Sequence, residues 1–73
     1  MGKDTLSLKS IAALGGSIVI SAKDYDVLSL KGIASSGKVK GGYLIINDAN
    51  ILDTISCKAI ANCNPGHIVF NFC

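Results

Sequence analysis

Apolar residues follow two alternating patterns along this chain, and each pattern occurs three times. The first is Leu6-Ser7-Leu8-Lys9-Ser10-Ile11-Ala12. It returns as Leu28-Ser29-Leu30-Lys31-Gly32-Ile33-Ala34 and as Ile55-Ser56-Cys57-Lys58-Ala59-Ile60-Ala61. In every copy the apolar residues Leu8, Ile11 and Ala12, or their counterparts, stand at i, i+3 and i+4, the spacing that lines one stripe of a helix. The second pattern reads Gly16-Ser17-Ile18-Val19-Ile20-Ser21, Gly42-Tyr43-Leu44-Ile45-Ile46-Asn47 and Gly66-His67-Ile68-Val69-Phe70-Asn71. These β-branched and aliphatic runs, entered through glycine, predict buried strands. Two blocks in the same order three times make an internal repeat.

Start and stop signals agree with helices in the first block. Asp4, Asp26 and Asn50 are candidate N-caps, and Asn50 has Asp53 three residues on. Gly15, Gly37 and Asn64-Pro65-Gly66 supply endings. An insertion over Gly37-Lys38-Val39-Lys40 reads as a loop before the second strand. The expected fold is α/β. One domain over residues 1–73 is built from three tandem helix-strand units, about 4–22, 26–48 and 50–73, with a parallel sheet, right-handed crossovers and all helices on one face. The alternative is an all-β chain of three hairpins, because Leu6-Ser7-Leu8 and Leu28-Ser29-Leu30 also alternate as strands do. The caps and the helical stripe favour the αβ solenoid.

In architecture, such a chain resembles leucine-rich-repeat proteins and related αβ solenoids. Asn47 and Asn71, just past two strands, are similar to the asparagine ladder of that family, while its Leu-x-x-Leu-x-Leu-x-x-Asn signature is not intact. The resemblance implies a geometry, with binding on the helix-free face of the sheet. It implies no activity.

Strand alternation sorts the second blocks into two faces. Ile18, Ile20, Leu44, Ile46, Ile68, Phe70 and Phe72 should meet the helices. The other face carries a grid of nine residues: an apolar middle row Val19/Ile45/Val69 between polar rows Ser17/Tyr43/His67 and Ser21/Asn47/Asn71. Aromatic, imidazole and amide groups around an apolar stripe predict a contact surface for a partner or for a second copy.

Composition narrows the possibilities. A domain of 73 residues buries only about 60% of its unfolded surface, so its stability depends on regular packing or on cover from another copy. Hydrophobic residues make up 49% and charged residues 16%, which is a globular balance. Net charge is +2, carried by seven Lys and no Arg. The column Lys9, Lys31 and Lys58 could form a ridge toward nucleic acid or another polyanion, but without arginine this is the second reading. No apolar run is long enough to cross a bilayer, and the first residues lack the pattern of a cleaved leader, so no membrane partner and a cytoplasmic location are expected. Three cysteines, an odd number, fit a reducing compartment.

Catalytic and metal chemistry find little support. His67, the only histidine, could pair with Cys63 or Cys73, yet no third orienting group is evident. The spacing Cys57-x5-Cys63-x3-His67-x5-Cys73 lacks the close ligand pairs of tetrahedral zinc sites, and its repeat column marks Cys57 as core. Asp24 and Asp26 read as turn and cap residues, and the pairs Gly15-Gly16 and Gly41-Gly42 precede strands rather than helices. Neither a catalytic residue nor a cofactor is expected. The sequence thus predicts a small, non-enzymatic interaction module whose first partner is itself, as a homodimer or higher oligomer, with another protein also possible.

Overall fold

The computed structural model describes residues 3–73. Within them three helices and three strands alternate: α1 (Thr5–Ala13), β1 (Ile18–Ser21), α2 (Val27–Gly37), β2 (Leu44–Asn47), α3 (Thr54–Cys63) and β3 (Ile68–Phe70). A short 3₁₀ turn, Ala49–Ile51, precedes α3. The hairpin alternative is therefore excluded. The strands form one parallel sheet in the order β1-β2-β3. Its register sets Ile18 beside Leu44 and Ile68, Val19 beside Ile45 and Val69, and Ile20 beside Ile46 and Phe70.

Each helix begins the same way. Asp4, Asp26 and Asp53 accept from the amides of Ser7, Ser29 and Ser56 at 2.9, 2.7 and 2.8 Å, which satisfies an orphan donor of the first turn. The third cap corrects the sequence reading: Asn50 lies in the 3₁₀ turn, and Asp53 performs the capping. Of the expected endings, Gly15 and Gly66 adopt positive φ. Gly37 instead remains the last residue of α2, and the reversal falls at Gly41, with φ of 76°.

The helices lie side by side, α2 between α1 and α3, against the sheet face that carries Ile18, Leu44 and Ile46. Leu30, Ile33, Ile46 and Ile60 are completely enclosed and form the centre of the core. The backbone comes very close where the first two strands begin. A Cβ on Gly42 would stand 2.6 Å from the Gly16 carbonyl oxygen, so no larger residue fits there without moving the chain. Nearby, buried Asn64 donates from its side chain to the Gly42 carbonyl at 3.4 Å, tying the end of α3 to the start of β2. Among the described residues no helix is long and apolar enough to cross a membrane.

Candidate functional site

Parallel pairing brings the nine-residue grid into being, because in-register strands stack equal positions in rows. In the first row the Ser17 hydroxyl accepts from the Tyr43 amide at 3.2 Å. The Tyr43 and His67 rings meet at 4.9 Å between centroids, inclined by 43°. The His67 Nδ1 stands 3.2 Å from the Pro65 carbonyl oxygen. A carbonyl can only accept, so in this contact Nδ1 is the donor.

The middle row is uncovered. Val19 is 61% exposed and Val69 44%, with Ile45 half-buried between them. The third row is tied together: the Asn71 side-chain amide donates to the Asn47 side-chain oxygen at 3.1 Å, and the Asn71 oxygen accepts from the Cys73 amide. Ser21 instead donates to Asp48 at 2.7 Å. Asp48 sits in the left-handed region at φ 58°, with Lys23 4.0 Å away. The face is thus an apolar strip between two polar rows, with the Asp48 carboxylate held against the third row through Ser21.

The remaining candidate residues are scattered. His67 contacts Tyr43 and Pro65, while the Cys63 thiol donates to the Ala59 carbonyl on its own helix. Among the described residues no cluster of three or more His, Cys or Asp side chains has the arrangement of a metal site. Cys57, expected in the core, is half-exposed, and burial followed by the charge of Asp53 pushes its thiol above the usual range. Phe72 lies beyond β3 and is exposed, but it stands on the helix side as expected, beside Cys57 and Ala61 of α3 and stacked on Phe70 with centroids 6.0 Å apart.

Lys9 and Lys58 are exposed and Lys31 is half-buried. Lys9 leans across α2, its Cε 3.6 Å from where a Cβ on Gly32 would be. Asp4, Asp26 and Asp53 cap the same three helices, so opposite charges alternate over this layer in place of a basic field. Leu6, Leu28 and Ile55 share one column and are all strongly exposed on the helices. Sequence reasoning passed over them, although their place two residues before the buried Leu8 column puts them on the opposite side of each helix. The chain matches no family model, no curated protein and no solved structure.

Proposed function

We propose that this protein is an αβ-solenoid interaction module that acts by binding, with the open sheet face as its contact surface. What carries the reading is the Val19/Ile45/Val69 row: three aliphatic side chains aligned across the sheet, Val19 and Val69 exposed and Ile45 half-buried between them. Polar rows that can give or accept hydrogen bonds flank it on both sides, the arrangement of an apolar centre within a polar rim. Either a second copy or another protein can cover this face, and self-association is the simpler case because it needs nothing beyond the chain itself.

Val19→Asp tests the reading. The side chain already stands in water, so the fold tolerates the change while a carboxylate in the apolar row repels a partner surface. The variant should keep its helical circular dichroism and lose partner capture at least about tenfold, the effect of one charge desolvated without a mate. Full retention of every binding partner would remove the face from consideration. A polyanion reading through the lysine column draws on Lys9 and Lys58 alone. Triple replacement of Lys9, Lys31 and Lys58 by Gln, with no change in a gel-shift titration, would dismiss it.

A further inference from the structure

The apolar columns shared by the three helix-strand units are not buried equally, and the inequality has a direction. Leu8 and Leu30 are buried, as are Ala12 and Ala34, whereas Cys57 and Ala61 of α3, in the same two columns, are half-exposed. The next column reverses the trend. Ile33 and Ile60 are 1% and 0% exposed, and Ile11 of α1 is 41% exposed.

Helix geometry accounts for the reversal. At 3.6 residues per turn, Ile11 lies about 60° to one side of Leu8 and Ala12 about 40° to the other. The isoleucine flank of a helix therefore faces the preceding helix, and the leucine-alanine flank faces the following one. The contact between Lys9 and the Gly32 position, on the flank of α1 that faces α2, fits the same sense. Each helix junction thus joins the leucine-alanine flank of one unit to the isoleucine flank of the next. Among the described residues one flank of each kind remains without its mate, and they lie at opposite ends of the molecule.

The sheet edges match this division. On β2 and β3 the Leu44 amide donates to His67 and the Asn71 amide to Ile46, both at 2.9 Å. By the alternation of a parallel ladder, the peptide groups of Ile68 and Phe70 point to the free edge. On β1 the amides of Ile18 and Ala22 donate to Tyr43 and Asn47, which leaves the peptide groups of Val19 and Ser21 at the opposite free edge. Beside β3 an apolar cleft of about 270 Å³ opens between Leu52, Cys57, Ala61, Phe70 and Phe72.

We propose that copies of this chain associate end to end, the α3/β3 side of one taking the α1/β1 side of the next. Ile11 of the incoming copy enters the cleft beside Cys57 and Ala61, the place that Ile33 takes toward Leu8 and Ala12. Its Val19 and Ser21 continue the ladder from Ile68 and Phe70. The contact is heterologous, since each copy uses two different surfaces, so growth continues beyond the dimer unless a ring closes. The proposal rests on the self-association part of the function proposed above and places the contact at the two ends of the sheet rather than on its face.

Two end-blocked variants of the full chain decide the matter. Ala61→Arg puts a guanidinium into the β3-side cleft, and Ile11→Arg puts one at the α1 side. In sedimentation over about a hundredfold range of concentration, the unaltered chain should gain mass past the dimer. Each variant alone should remain monomeric. Their equimolar mixture should form a dimer and stop there, because it contains one open end of each kind. A mixture that stays monomeric while the unaltered chain associates would overturn the proposal.

If both end variants still grow and Val19→Asp is the one that dissociates, the sheet face holds the copies: the end-to-end contact falls and the proposed function stands. An unaltered chain that stays monomeric throughout defeats both the end-to-end contact and self-association. If arginine at either end unfolds the chain, amine cross-linking of mixed unlabelled and ¹⁵N-labelled unaltered protein gives the answer. Mixed-isotope links from Lys58 to Lys3 or Lys9 are expected, and their absence from an associated sample would also overturn the contact.

Discussion

At the residue scale, the three aspartate caps combine structure with titration. The side chain of Ser7 and then its amide hold the Asp4 carboxyl below the usual carboxylate range, and Ser29 and Ser56 do the same for Asp26 and Asp53. A carboxyl depressed in the folded state contributes stability above its unfolded value and loses it as pH falls through the folded one. The melting temperature should therefore drop as pH is lowered through and below the ordinary aspartate range. Replacing all three by Asn, which can still accept from the serine amides, should flatten that acid dependence; an unchanged slope would contradict the assignment. Asp53→Ala should lower the melting temperature and Asn50→Ala should leave it alone, since Asn50 makes no cap. The thiols provide a separate check. Cys73 is exposed, while burial raises the Cys57 thiol, so alkylation followed by mass spectrometry should label Cys73 first and Cys57 later.

At the element scale, identical residues in one column behave differently according to the neighbours of their helix. Ile60→Ala empties a fully enclosed site, at a cost of about 3 kcal/mol. Against the roughly 5 kcal/mol available to a domain of this size, that change should lower the urea midpoint to about two-fifths of its original value while the chain still folds in water. Ile11→Ala, at a site 41% exposed, should cost less than about 1 kcal/mol in dilute solution. Equal losses at the two positions would mean that α1 has a neighbour on its outer flank even in the monomer. This pair also shows what can and cannot be read from the sequence. The i, i+3, i+4 stripe and the glycine-led apolar runs predict α1 to α3 and β1 to β3, and strand alternation predicts the grid of Tyr43, His67, Asn47 and Asn71, because both depend on local periodicity. The repeat column overstates the burial of Cys57, since it carries no information about which flank of α3 has no neighbouring helix among the described residues. Asn50 reads falsely as a cap because the 3₁₀ turn Ala49–Ile51 shifts the start of α3 by three residues. The alignment of Asp4, Asp26 and Asp53, each two residues before its Leu or Ile, already holds the correct answer.

At the scale of the whole molecule, a two-layer array of three units has a small interior, and its largest enclosed side chains belong mainly to the central unit and its two junctions: Leu30, Ile33, Ile46 and Ile60. Both outer flanks lose part of the hydrophobic stabilisation that the junctions supply, since apolar area left in water contributes nothing. In a linear array stability is close to a sum of unit and junction terms, so a third junction, formed between copies, should add to the two within each chain. Association that buries the Cys57–Ala61 flank of one copy and Ile11 of the next must therefore couple to folding by mass action. The melting temperature of the unaltered chain should rise with protein concentration, by several degrees for each kcal/mol gained in a domain of this length. Ala61→Arg and Ile11→Arg should each melt at a temperature independent of concentration, whereas their equimolar mixture should recover the dependence. The same coupling should slow alkylation of Cys57 at high concentration and leave Cys73 reactive, because Cys57 lines the cleft and Cys73 does not. A melting temperature that stays constant from dilute to concentrated protein would show that the two outer flanks do not meet.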